Sequence, residues 1–392
     1  MSGILLRLVC VAATAAGTAL APVPATAVPE PDGEQPSVAH LLTDLQRLYR
    51  QAEQATEAYN ATEEKLKRQR AETDRLERAL ARARLSLHDS RGAAGRLARQ
   101  QYQSSTGISP YVRLLLARDP EHAVDQGRVI GRIARERAGT VGRLTGSERK
   151  ARDLARKART ALDEQLALAE RRKKERDTVR GRLHDVEELL ASLDEDQLSA
   201  VAELEEDGVA KAQKRFMASG ALGAGGSAGS VRRPTAAGGR AVRYAVRQLG
   251  KPYEWGAEGP KSFDCSGLTS QAWAAAGTPI PRTSQEQWKR LERIDLDELR
   301  PGDLVVYFEE ATHVALYLGD GRVVQAPRPG ARVKVSPIAA NPVLGAVRPD
   351  PDGKPLRRYE PPELPEGATD GSDEGYEGHP DDEDRATSAP ED

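Results

Sequence analysis

The stretch KSFDCSGLTSQAWAAAG, residues 261–277, holds Cys265, one of only two cysteines in a chain of 392 residues. Asp264 reads as the N-cap of a helix that continues through 266–276 and stops at Gly277, ahead of Pro279. Cys265 then falls in the first helical turn. The helix dipole and the unpaired backbone N–H groups there favour an anion, so a lowered thiol pKa is expected. Such a thiol becomes a working nucleophile when a base is supplied. A buried structural cysteine is the bland alternative, and the polar flanks Asp264 and Ser266 argue against it. Of six histidines, His40, His88, His122 and His184 lie in a strongly helical region and His379 in an acidic tail. Only His313 shares a segment with Cys265, where it opens the alternating strand HVALYLG after the strand DLVVYF. One cysteine and one histidine, both at element starts within a single segment, are what a thiol–imidazole pair requires. A metal centre is not indicated, because no further cysteine or histidine stands nearby.

The elements that must position this pair lie in 240–350, which carries all three tryptophans, Trp255, Trp273 and Trp288. That segment is where a compact core is expected, with the tryptophans read as core residues rather than as substrate platforms. RAVRYAVRQLG, 240–250, reads as a helix closed by Gly250. Upstream, 38–103 is one long helical pattern. Leu41, Leu45, Leu48, Ala52, Ala55, Tyr59, Thr62, Leu66, Gln69, Thr73, Leu76 and Leu80 recur at alternating steps of four and three, a heptad seam with charged residues outside it. A helix of that length needs a partner, and a second pattern over 121–214 supplies one. The break at 104–120, with Gly107 and Pro110, places a turn between them, so 38–217 is expected to form an antiparallel helical hairpin. The apolar run Val112-Arg113-Leu114-Leu115-Leu116 at that turn reads either as a docking site or as packing against the hairpin's own stem.

Residues 218–239 read as a flexible Gly/Ser/Ala linker, and 351–392 as a disordered acidic tail. Residues 1–27 read as a secretory signal, with Arg7, an apolar run and Ala25-Thr26-Ala27 at the cleavage site. Its removal would take Cys10 away and leave Cys265 with no disulfide partner. Fifty-eight basic residues against sixty acidic ones give a net charge of −2, so a globally basic nucleic-acid binder is not indicated.

The motifs of 240–350 resemble the NlpC family of papain-like cell-wall peptidases. They are Gly250-Lys-Pro-Tyr-Glu-Trp-Gly256, Phe263-Asp-Cys-Ser-Gly-Leu268, Pro281-Arg-Thr-Ser284, Arg300-Pro-Gly-Asp-Leu304 and His313-Val-Ala-Leu-Tyr-Leu-Gly319. The resemblance implies an α+β fold, helices packed on a small antiparallel sheet, preceded here by the coiled-coil hairpin. It implies a cysteine peptidase without a cofactor, acting on peptidoglycan stem peptides at the γ-D-glutamyl–diamino acid bond. Carried over by position, Cys265 is the nucleophile, His313 the general base, and Tyr253 an aid to the oxyanion. The third triad position falls at Gln325, where many relatives carry histidine; an amide carbonyl can accept the imidazole N–H but brings no full charge. Asp264, Ser266, Arg282 and Ser284 are candidates for binding substrate, Arg282 for its carboxylate. The coiled coil resembles that of division-regulated members, which implies a membrane-bound regulator as partner. Two other readings stand beside this one: a non-hydrolytic scaffold, and an amidase with another bond preference.

The strand pair HVALYLG and RVVQAP sets a geometric condition. Gln325 shares a face with His313 only if the connection is odd in length or a bulge compensates.

Overall fold

The computed structural model describes residues 37–104, 110–116, 120–223 and 232–369. The expected signal segment, 1–27, lies outside the described residues, as do parts of the break, the linker and the tail.

Helix α1 (Val38–Ser104) pairs antiparallel with α3 (Pro120–Ala191). Leu41, Leu45 and Tyr49 meet Val186 and Leu190 at one end, and Leu76 and Leu80 meet Leu154, Ala158 and Ala161 further along. The small and polar seam positions are used: Gln69 Nε2 and Thr73 Oγ1 both donate to the Ala161 carbonyl, at 3.0 and 3.3 Å. Between the long helices α2 (Pro110–Leu115) starts on Pro110, a residue suited to a first helical turn.

The single pattern expected over 121–214 is in fact two helices. The chain breaks after Ala191 and restarts as α4 (Glu195–Ala218). Asp194 accepts from Gln197 N at 2.8 Å, and Gln197 Oε1 accepts from Asp194 N at 3.0 Å. This reciprocal cap satisfies two N–H groups that a continuous helix would bond internally. The break lets α4 carry Phe216 and Met217 onto the C-terminal sheet, against Val305, Tyr307, Tyr317 and Val323.

That sheet has six strands: β1 (Glu292–Ile294), β2 (Leu304–Tyr307), β3 (His313–Gly319), β4 (Arg322–Gln325), β5 (Lys334–Pro337) and β6 (Val343–Arg348). Their order is β1-β6-β2-β3-β4-β5, every neighbouring pair antiparallel. On one face Leu304, Val306, Val314, Leu316 and Val324 pack under α5 (Ala236–Val246) and α6 (Cys265–Ala275). A short helix, α7 (Ser284–Arg290), completes that layer. Trp273 is fully buried there and its Nε1 donates to the Gly302 carbonyl at 3.0 Å. The opposite face is the one α4 covers.

Two boundaries differ from the sequence reading. The expected linker runs to 239, yet Thr235 caps α5 and the helix begins at Ala236. Gly238 packs so close to the Pro301 carbonyl that a Cβ would collide, so this glycine serves packing rather than flexibility. The tail was expected to lack order from 351, but 351–369 lies along the domain. Leu356 N donates to Pro234 O and Val335 N to Ala368 O, both at 2.8 Å, and Ala368 is buried. Proline and acidic content hid an extended segment that a few backbone hydrogen bonds hold down.

Candidate active site

Asp264 caps α6, its Oδ1 accepting from Gly267 N at 2.6 Å. Gly267 has no room for a Cβ against the Ala257 carbonyl, which explains a glycine two residues after the thiol. Cys265 is thereby fixed in the first turn, with Sγ 4.0 Å from the carbonyl oxygen of Thr312, the residue before His313. Tyr253 lies in the same buried cluster as Cys265.

The β3–β4 connection is a two-residue turn, Asp320-Gly321, with φ of +51° and +66°. A bulge between Tyr317 and Gly319 compensates. Leu316 therefore pairs with Val324, which sets Gln325 across from Ala315 and on His313's face. Gln325 Oε1 lies 2.7 Å from His313 Nε2, while its Nε2 donates to Ser336 Oγ at 2.8 Å. With the far nitrogen held by an acceptor, the near nitrogen of such a ring is available to take a thiol proton.

In this structure that near nitrogen is occupied. Glu53 of α1 places Oε1 2.9 Å from His313 Nδ1. One turn on, the Glu57 carboxylate accepts from Ser266 Oγ (2.6 Å), Ser284 N (2.8 Å) and Ser284 Oγ (3.0 Å). Asn60 Nδ2 then donates to Asp264 Oδ2 at 3.0 Å. Further contacts extend along α1: Tyr59 meets Trp255 edge-on at 5.1 Å, and Lys67 Nζ lies 3.3 Å from Glu258. Trp255, expected in the core, thus faces α1 across the site.

These contacts overturn the expected thiol chemistry. Burial pushes the Cys265 thiol well above its ordinary pKa, and the charges of Glu57, Asp264 and Glu53 push it further; Arg282 offsets only part. The helix terminus that should favour a thiolate is outweighed by a buried site holding three carboxylates. Glu57 is itself raised to about 7, first by burial and then by Asp264, with Ser266, Arg282 and Ser284 pulling the other way.

The four expected substrate-binding residues do come together, with a changed division of labour. Arg282 is committed to Asp264, donating to both carboxylate oxygens at 3.0 and 2.6 Å, and its Nε lies 3.1 Å from Glu258. It reaches Ser266 Oγ at 2.8 Å but not the Glu57 carboxylate directly. Ser266 and Ser284 make the direct contacts. One oxygen each of Glu57 and Asp264 lies within 4.8 Å of Cys265 Sγ, yet these carboxylates are satisfied by protein donors. The sequence reading missed Glu53, Glu57 and Asn60. The available signal was their i, i+4, i+7 spacing, a polar stripe beside the heptad seam.

The NlpC/P60 family profile matches residues 250–345. A probable endopeptidase of Corynebacterium glutamicum is 41% identical over 116 residues, 29% of this chain and 56% of that protein. A probable endopeptidase of Mycobacterium tuberculosis is 37% identical over 108 residues, 27% of this chain and 28% of that one. The chain thus spans about half the length of the first of these relatives and less of the second. Among solved structures, the NlpC/p60 domain of the peptidoglycan hydrolase SagA is 32% identical, covering 28% of this chain and 97% of that one, with a TM-score of 0.27. RipD of Mycobacterium tuberculosis, described as a non-catalytic NlpC/p60 domain protein, is 33% identical over 29% of this chain and 96% of that one, with a TM-score of 0.26. Residues 250–345 of this chain thus form an NlpC/P60 domain.

Proposed function

We propose that the chain is an exported peptidoglycan endopeptidase that hydrolyses the γ-D-glutamyl–diamino acid bond of stem peptides and is held shut by α1. The observation that supports this reading is that Cys265 Sγ lies against the carbonyl of Thr312, next to a His313 held by Gln325, beside a pocket that already grips a carboxylate. A γ-linked glutamyl residue bears a free α-carboxylate a few bonds from the scissile carbonyl, and Ser266 and Ser284 are placed to receive it where Glu57 now sits. Asp264 and Arg282 position the Ser266 hydroxyl, at 3.3 and 2.8 Å.

In the open enzyme His313 takes the thiol proton and Cys265 attacks the carbonyl carbon. The oxyanion is met by the Cys265 backbone N–H, with Tyr253 beside it. Collapse breaks the C–N bond as His313 returns the proton to the leaving amine. Water, deprotonated by His313, then cleaves the thioester and restores the thiol. Liquid chromatography–mass spectrometry of defined muropeptides tests the bond assignment. Release of a fragment beginning with the diamino acid is expected; release of the intact stem peptide would make the protein an amidase, and no release from the opened enzyme would favour a scaffold.

Gln325 acts through His313. Gln325→Ala leaves the imidazole N–H without its buried acceptor, a loss of about 1–3 kcal/mol. A fall in kcat of about 10–100-fold with KM little changed is expected, while Gln325→His should keep most activity. Equal loss in both variants would remove the residue from the triad.

Glu57 also gives the closed state a pH dependence. Its carboxyl titrates near 4.5 when free and at about 7 when seated, so closure binds a proton. Closure is strongest below about pH 4.5, weakens as the pH rises through that interval, and is level above about 7. The ratio of wild-type to Glu57→Gln hydrolysis should therefore climb from pH 5 to 7; a flat ratio would exclude Glu57 as the sensor.

A further inference from the structure

The tip of the hairpin has a surface that the catalytic reading does not use. Among the described residues, seven of the eleven exposed large apolar side chains fall between 102 and 129. Tyr102 is 82% exposed, Leu115 83% and Leu116 68%, with Tyr111 and Val112 beside them. Helix α2 contacts α3, but the apolar side chains of Tyr111 and Leu115 turn outward, so stem packing does not account for them. Soluble surfaces tolerate scattered apolar residues; a concentration of them at one apex marks a contact surface.

The charge around this apex identifies what it contacts. Residues 91–143 contain ten arginines, no lysine, and four carboxylates, a net charge of +6 in a chain whose total is −2. Arg91, Arg96, Arg99, Arg128, Arg132 and Arg135 are exposed. A purely ionic polymer would match the arginines and leave the tyrosines and leucines in water. Tyrosine and leucine at an apex flanked by arginine are the set that settles at an acyl–headgroup boundary, apolar groups below and guanidinium groups on the phosphates. No described helix is long and apolar enough to cross a membrane, so this contact is interfacial.

We propose that the hairpin tip docks on an anionic membrane surface. About 45 residues of α1 separate Glu57 from the tip, so the helix holds the catalytic domain about 70 Å from the bilayer. A few shallowly inserted side chains plus charge give reversible attachment, sensitive to salt. The inference is independent of the hydrolytic reading, since it concerns a surface that shares no residue with the site.

Sedimentation of the full chain with vesicles tests it, using phosphatidylglycerol–phosphatidylcholine (1:1) against pure phosphatidylcholine. Binding to the anionic vesicles at least about tenfold stronger than to the neutral ones is expected, falling as salt rises. Leu115→Ser/Leu116→Ser should lower partitioning about tenfold or more with helicity by circular dichroism unchanged, and Arg128→Gln/Arg132→Gln should flatten the salt dependence. Absence of vesicle binding overturns the proposal, as does binding indifferent to the Leu115 and Leu116 changes. Self-association abolished by those changes, without vesicle binding, would assign the patch to a second copy instead.

Discussion

Cys265→Ala is expected to abolish muropeptide hydrolysis, with a fall of about 10³-fold or more in kcat measured in the opened enzyme. The nucleophile forms the covalent bond that divides the reaction into two steps, and neither His313 nor the carboxylate pocket can replace it. Cys265→Ser should fare little better, because a hydroxyl in this buried, carboxylate-rich site ionises far less readily than a thiol. Substrate affinity is expected to survive both changes, since the contacts assigned to binding come from Ser266 and Ser284. Retained product formation by Cys265→Ala, confirmed free of contaminating hydrolase, would end the cysteine-peptidase reading. Folding is a weak confounder: Cys265 is small and buried, and removing its sulfur costs on the order of 1 kcal/mol.

The second large effect is a gain. Glu53→Ala/Glu57→Ala in the full chain is expected to raise hydrolysis by about 10–100-fold at pH 6. Glu57 makes three hydrogen bonds to the pocket and Glu53 one contact to the base. At pH 6 the seated Glu57 carboxyl is mostly neutral, and each such hydrogen bond contributes about 0.5–1.5 kcal/mol. Burial and the nearby Asp264 carboxylate work against seating an ionised Glu57, so the closed state weakens as the pH rises. Iodoacetamide labelling of Cys265 should accelerate in parallel, because opening both exposes the thiol and removes Glu53 and Glu57, two of the three carboxylates that raise its pKa. Unchanged labelling together with unchanged hydrolysis would mean that α1 does not gate the site.

Much of this was legible in the sequence because the relevant rules are local. Asp264 caps its own helix three residues on, Gly267 follows the thiol at fixed spacing, and the heptad repeat of α1 needs only one apolar stripe to be read. The condition on Gln325 could be stated in advance because a strand's side chains alternate with period two, and the bulge near Leu318 met it. The break at Asp194 was present in the sequence as D-x-x-Q but was masked by leucines continuing on both sides.

What the sequence by itself determined is the chemistry on offer: one thiol at a helix start, one imidazole at a strand start, and a long hairpin ahead of them. What only the tertiary structure decided is the state of that chemistry. Glu53, Glu57 and Asn60 read as a solvated helix face, because polar residues elsewhere on α1, such as Glu63, Lys67 and Arg70, show the same i, i+4, i+7 spacing. Their partners stand about two hundred residues away, brought to them by docking. The direction of the thiol's pKa shift followed from the same fact. A helix dipole is a local property, whereas desolvation and neighbouring charge depend on what the folded chain lays across the site.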